Sequence, residues 1–245
     1  MESISMLINL ALWALLSLGT NHTTLEQPVK TGCRQAAPTQ TTHIHREPSG
    51  PAQMNQNRGR DSWQKPDEVL KAINLRPGQV IADIGAGDGY FTRRFAEAVG
   101  PGGKAIGIDV DPSAVRAMTA DAQKLGLTNY EARLVPAEDP MLAPESVEVI
   151  FVCDTYHHID NRIPYFTRIK AALRPGGRLL IIDFPRTTQT TSHNVNREEL
   201  VKELEQAGYR LTKEFDFLLP RQLFMEFEPV KPAINQELGQ SEGVN

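Results

Sequence analysis

Residues Val80 to Gly89 read VIADIGAGDG, and the rest of the chain is organised around them. Apolar and β-prone residues run into an acid, Asp83, after which glycine recurs at every second position: Gly85, Gly87 and Gly89. That pattern describes a buried strand breaking into a tight loop ahead of a helix beginning near Tyr90. Glycine at Gly85 and Gly87 lets the backbone take positive φ and lets a ligand approach without meeting a Cβ. The peptide N–H groups of such a loop, backed by a helix N-terminus, favour a carboxylate-like or phosphate-like group.

Spacing separates the ligand classes. A dinucleotide fingerprint is G-x-G-x-x-G, whereas Gly85-Ala86-Gly87-Asp88-Gly89 is G-x-G-x-G with Asp83 two residues upstream. A carboxylate there repels a pyrophosphate and accepts hydrogen bonds from an ammonium group. On these residues the chain resembles the class I S-adenosylmethionine-dependent methyltransferases, whose first motif has the form (D/E)-x-G-x-G-x-G. The resemblance implies an α/β fold, a doubly wound Rossmann-like seven-stranded sheet with an antiparallel last strand. It also implies S-adenosyl-L-methionine as cofactor, with Asp83, Gly85, Ala86, Gly87 and Gly89 around its methionine part. A nicotinamide-dependent oxidoreductase and a non-catalytic module that only binds the cofactor are the alternatives.

Beyond the loop, Lys104 to Val110 reads as a second buried strand, with Asp109 near its end. Doubly wound folds place the acceptor for ribose hydroxyls at that point, about 20 residues past the glycine loop. The resembled family carries an acid there too, so Asp109 is the expected ribose ligand and Val110 packs on the adenine. Asp111 is read instead as the N-cap of a helix over Pro112 to Leu125. A third strand, Tyr130 to Val135, leads into Pro136, where many members of the family have Asp. The adenine contact is therefore assigned to the backbone of Ala137 and the side chain of Glu138.

Val147 to Cys153 is a fourth strand, and Asp154, Tyr156, His157 and His158 follow at its carboxyl end. Ligands in open α/β sheets bind outside the carboxyl ends of the strands. These four residues are therefore the candidate catalytic groups, and Asp154 is also a candidate cofactor contact. A histidine can take a proton from an acceptor as it attacks a methyl group. Of the adjacent pair one is expected to turn away, with His157 preferred as the base. A helix over Ile163 to Leu173 precedes Arg174-Pro175-Gly176-Gly177, a turn before a fifth strand ending at Asp183-Phe184. An L-(R/K)-P-G-G turn here is a further landmark of the family, and the resemblance covers about Trp63 to Phe184.

The flanks are read from pattern. Trp63 to Ile73 forms one helix around Pro66, and the resemblance lets Trp63 or Gln64 line the pocket, with Trp63 as a plain core residue the alternative. Arg197 to Ala207 is a helix, and Tyr209 to Asp216 and Gln222 to Glu228 form the closing antiparallel pair. Met6 to Leu18 is an apolar run shorter than the roughly 20 residues of a membrane span, and it suits a signal peptide or anchor. Ser17 and Gly19 are placed for a cut after Gly19, although the first five residues carry Glu2 and no basic residue. The expected organisation is a signal or anchor over 1–19, an arm over 20–60, a methyltransferase domain over 61–228 and a tail over 229–245. An exported or membrane-tethered protein follows, with a cytoplasmic one the alternative, since the cofactor is made in the cytoplasm.

Charge narrows the partner. With 26 basic and 30 acidic residues the net charge is −4, which is no footprint for nucleic acid. A small-molecule acceptor is expected instead. His43 and His45 form an H-x-H pair that is read as solvated, so no metal is expected. Cys33 and Cys153 are too few for a disulfide framework or a zinc site.

Overall fold

The computed structural model describes residues 59–186 and 194–230. The signal or anchor expected over 1–19, most of the arm with His43 and His45, Cys33, and the tail beyond 230 lie outside the described residues. Among the described residues no helix is long and apolar enough to cross a membrane.

Seven strands form one sheet: β1 Val80–Ile84, β2 Lys104–Asp109, β3 Tyr130–Leu134, β4 Val147–Cys153, β5 Leu173–Asp183, β6 Tyr209–Phe215 and β7 Leu223–Pro229. Their order is β3-β2-β1-β4-β5-β7-β6. The first five are parallel, and β7 runs antiparallel to β5 and β6, as expected. The helices are α1 Pro66–Ile73, α2 Thr92–Val99, α3 Pro112–Leu125, α4 Arg162–Ile169 and α5 Arg197–Gln206. Because successive strand residues point to opposite faces, the apolar side chains divide into two cores. Ile81, Val149 and Phe151 pack with Val69, Phe95 and Met118 from α1 to α3. Ala82, Ile150 and Val152 pack with Phe166, Leu200 and Leu204 from α4 and α5. The chain winds outward from β1 to β3 and returns to β4 on the other side of β1. The crevice at the carboxyl ends of β1 and β4 is thus the switch point where such sheets bind ligands.

Several boundaries depart from the expected ones for local reasons. The helix expected over Trp63 to Ile73 is interrupted at Lys65, which takes φ 48, because the ring of Pro66 disfavours helical geometry in the residue before it. Helix α2 begins at Thr92, two residues later than expected, since Asp88 Oδ1 accepts the Tyr90 N–H (3.2 Å) in a turn. The helix expected to reach Leu173 stops at Ile169 and tightens into a 3₁₀ turn over Lys170–Ala172, because Leu173 already pairs with Val147 in the sheet. Pro229 closes β7, one residue into the expected tail.

The glycine loop closes on protein. Gly85 and Gly87 take φ of 72 and 60, as expected, and Gly89 joins them at 79. The space above Gly85, however, is filled: a Cβ there would lie 2.2 Å from Thr155 Oγ1, and one on Gly89 would lie 1.8 Å from the Tyr130 hydroxyl. These two glycines let β1 close on its neighbours, which corrects the expectation that the missing Cβ of Gly85 serves ligand approach.

The segment before α1 is fastened to the sheet by a closed ring of side-chain hydrogen bonds. Arg60 Nε donates to Gln64 Oε1 (2.9 Å), and Gln64 Nε2 donates to Gln222 Oε1 (2.6 Å). Gln222 Nε2 then donates to Asp154 Oδ1, and Arg60 Nη2 returns to Asp154 Oδ2 at 3.2 Å. Cys153 Sγ accepts from both Arg60 and Gln64. The Arg60 guanidinium also lies 4.1 Å from the Tyr90 ring centroid, whose hydroxyl donates to Asp61. Arg60, assigned to the arm on composition, is therefore part of the folded domain.

Two consequences can be measured. Gly89→Ala is expected to destabilise the protein by roughly 2–4 kcal/mol, from positive φ and from the clash with Tyr130. The Tyr130 hydroxyl has no hydrogen-bond partner among the described residues, so Tyr130→Phe should be near neutral alone and should recover part of the loss in the double variant. Denaturant unfolding of the four proteins gives the coupling, and a loss unchanged in the double variant contradicts the steric account. Gln222→Leu breaks the ring at two bonds, and hydrogen exchange over 59–64 should accelerate about tenfold or more while β1 and β4 stay protected. Unchanged exchange there would mean that the ring does not hold the segment.

Candidate active site

At the cofactor end, backbone donors are turned inward. Gly85 and Ala86 donate their N–H groups to the Ile108 carbonyl (2.8 and 3.0 Å), and Gly89 donates to the Ala86 carbonyl (3.0 Å). Gly87 donates to Asp109 Oδ2 at 2.8 Å. The expected anion cradle is thus corrected: the N–H groups of Gly85, Ala86 and Gly87 hold the loop to β2, and that of Gly89 closes the loop on itself. Asp83 is 3% exposed and its Oδ2 accepts the Thr92 hydroxyl at 2.6 Å. Its charge reaches the loop from below, and not as the open acceptor that the spacing predicts.

Asp109 stands where expected, at the end of β2 and 3% exposed, with Oδ1 accepting the Asp111 N–H at 3.0 Å. Asp111 caps α3 through the Ser113 N–H (2.8 Å), also as expected. The Val135 N–H donates to the Asp109 carbonyl (3.2 Å), which brings the turn bearing Ala137 and Glu138 toward this end of β2. Both residues are exposed, and the Glu138 carbonyl accepts from Arg168 Nη1 on α4 at 2.6 Å. Val110 is 39% exposed. A carboxylate whose oxygens can each accept more than one donor, beside an exposed apolar side chain, fits a ribose diol and an adenine ring. A loop with the N–H groups of Ala86 and all three glycines committed to protein fits a pyrophosphate poorly, which argues against the nicotinamide alternative.

At the transfer end the four candidates separate. Asp154, at φ 52, is held in the Arg60, Gln64 and Gln222 ring, so its carboxylate fastens the N-terminal segment. The intervening Thr155 donates its hydroxyl to the Cys153 carbonyl (2.9 Å) and packs on Gly85. Tyr156 is corrected as a catalytic candidate: its ring is buried against Phe166, and its hydroxyl donates to Glu203, which is itself paired with Arg162 at 2.7 Å. Burial first, and then the Glu203 carboxylate, push this phenol well up, so it stays protonated and is no base. Burial, reinforced by Asp154, likewise pushes the Cys153 thiol well up and keeps it inert.

His157 has a defined role. It lies in the 3₁₀ turn Tyr156–His158, and its Nδ1 is 2.7 Å from Asp183 Oδ1 while its backbone N–H donates to Asp183 Oδ2 at 3.2 Å. Asp183, at the end of β5, is fully buried and also accepts the Phe184 N–H (2.7 Å). A carboxylate accepting from Nδ1–H fixes the tautomer and leaves the lone pair on Nε2. The His158 ring lies beside that of His157, centroids 4.0 Å apart, and the Asp183 carboxylate orients the His157 ring. Asp183, Thr155, Arg60 and Gln222 are the residues sequence reading missed. Asp183 alone carried a signal, an acid closing an apolar strand as Asp109 does.

Comparison with known proteins agrees with this geometry. A family model described as a methyltransferase domain matches residues 75–221, more than half of the chain. Nocamycin O-methyltransferase of Saccharothrix syringae is 33% identical over 111 residues, spanning 45% of this chain and 40% of that protein. A ubiquinone/menaquinone biosynthesis C-methyltransferase of Bordetella avium is 31% identical over 125 residues, 49% of this chain and 47% of that one. The chain thus spans about half the length, or less, of these curated relatives. Among solved structures, a SAM-dependent methyltransferase from Aquifex aeolicus superposes with TM-score 0.67 at 24% identity, over 74% of this chain and 100% of that one, a likeness of fold. With the glycine motif, the strand-end Asp109, the sheet order and the matched family model in agreement, the chain belongs to the methyltransferase-domain family, in the class I S-adenosylmethionine-dependent group.

Proposed function

We propose that the protein transfers a methyl group from S-adenosylmethionine to a small-molecule acceptor whose attacking oxygen, nitrogen or activated carbon gives up a proton to His157. The observation that carries this reading is the His157–Asp183 pair, a histidine oriented by a buried carboxylate beside the switch point. Relatives named as O-, C- and N-methyltransferases support an acceptor with any of these attacking atoms.

When bound, the cofactor supplies an electrophilic methyl group and a thioether leaving group. Asp109 would hold the ribose hydroxyls and Val110 the adenine, with Asp83 setting the charge beneath the loop. The proton released by the acceptor is taken on His157 Nε2, and the imidazolium so formed is stabilised by Asp183 across the 2.7 Å contact. Positioning of the acceptor in line supplies the remainder of the rate enhancement.

Calorimetry tests the cofactor half: S-adenosylhomocysteine should bind and NADH should not, and Asp109→Ala should weaken the former by about tenfold or more. Affinity unchanged by Asp109→Ala would remove the ribose assignment. For the chemical half, a screen of small hydroxyl, amine and carbon-acid acceptors with labelled cofactor identifies a turnover substrate. On it, His157→Ala should lower kcat by about a hundredfold or more. Asp183→Asn should do the same by permitting the wrong tautomer, and neither change should alter the KM for cofactor. Full kcat in both variants would show that His157 is not the base.

A further inference from the structure

We propose that the acceptor is a planar molecule bearing a carboxylate, that Trp63 and Phe184 take its flat body, and that Arg221 binds its charge. This rests on the reading of His157 as the base beside the acceptor. Asp183 Oδ1 joins the two, since it meets both His157 Nδ1 and the Phe184 N–H at 2.7 Å. Phe184 is partly exposed, and its ring centroid is 6.1 Å from that of Trp63, the planes tilted by 43°. The Arg221 guanidinium carbon lies 4.1 Å from the centroid of the same indole. The register confirms the neighbourhood, because Asp183 pairs with Leu223 across β5 and β7, and Gln222 between Arg221 and Leu223 bonds to Asp154. Three segments distant in sequence thus bring an indole, a phenyl ring and a guanidinium to the end of the sheet that carries His157.

The chemistry of the trio specifies its ligand. Arg60, Arg93 and Arg94 around the glycine loop are each paired with a carboxylate. Arg221 is exposed and, among the described residues, forms no ion pair; its guanidinium rests on an aromatic ring. Stacked in this way, a guanidinium keeps the N–H groups at its edge available as a planar fork, which matches the two oxygens of a carboxylate. Trp63 and Phe184, both partly exposed, offer apolar surface that a planar body covers. The same end of the sheet holds Asp83, Asp109, Asp154 and Asp183, which repel an anionic acceptor unless a cation meets it at the entrance. Arg221 is that cation, so it sets specificity and takes no part in the chemistry.

The test uses two probes of the same ring and size, 2-naphthoate and 2-naphthamide, titrated by calorimetry into the full chain saturated with S-adenosylhomocysteine, so that no transfer occurs. Wild type should bind the acid about tenfold or more tightly than the amide. Arg221→Gln should abolish that preference with the amide affinity unchanged, Arg221→Lys should restore part of it, and Trp63→Ala should weaken both probes. Equal binding of acid and amide by wild type, a preference that survives Arg221→Gln, or binding of neither probe would overturn the proposal. Unaltered thermal unfolding of Arg221→Gln shows that its fold is intact. The measurement needs no turnover, so loss of the histidine reading leaves the acid preference standing as a separate result. If S-adenosylhomocysteine does not bind, the cofactor reading falls and the same comparison is made on the chain alone.

Discussion

Three aspartates near the carboxyl ends of strands, Asp83 of β1, Asp109 of β2 and Asp183 of β5, are almost wholly removed from water. A buried carboxylate is costly unless donors surround it, and the donors available at the end of a strand belong to the loops. Asp83 takes the Thr92 hydroxyl at the start of α2, and Asp109 takes the backbone of Gly87 and Asp111. Asp183 takes the backbone of His157 and Phe184 and the imidazole of His157. Satisfying these charges therefore holds the glycine loop, the entry to α3 and the histidine turn in place. The loops that form the site are ordered by the requirement to hydrogen-bond the acids beneath them.

The same acids set the electrostatic character of the crevice. The glycine loop directs the N–H groups of Gly85, Ala86 and Gly87 to β2 and that of Gly89 back onto Ala86, so it offers little to a phosphate, while the carboxylates around it favour a ligand bearing positive charge. A sulfonium cofactor with an ammonium group suits that field, and a pyrophosphate does not. Around this acidic centre the cations are distributed unequally. Arg60 is tied to Asp154 and lies over the Tyr90 ring, and Arg94 also lies over that ring and pairs with Asp61. Arg221 is left to the aromatic surface of Trp63.

Asp154 shows how a residue at a catalytic address can serve another purpose. It stands at the end of β4, beside the switch point, yet it closes the ring that binds residues 60 and 64 to the sheet. That ring also positions Trp63, which lies between Arg60 and Gln64 and is carried to Phe184 with them. Tyr156, two residues further, is turned into the core on α4 and α5, where Glu203 and Arg162 satisfy its hydroxyl.

The βα alternation, the seven-stranded sheet with its antiparallel last strand expected from the resemblance, the positive φ of Gly85 and Gly87, the strand-end position of Asp109 and the Asp111 cap were all legible in the chain. Each depends on local chemistry: apolar period, turn residues, or a side chain reaching a backbone two residues away. What tertiary structure alone decided were the partnerships between segments far apart. His157 meets Asp183, Gly85 makes room for Thr155, and Arg60 reaches Asp154 only because β1, β4 and β5 lie side by side. No local pattern marks them, since in a tight turn such as residues 154–158 consecutive side chains diverge, and their directions are set by whichever distant group can satisfy each one. Local pattern placed these residue types at the carboxyl ends of the strands, and packing between strands decided which partner each of them meets.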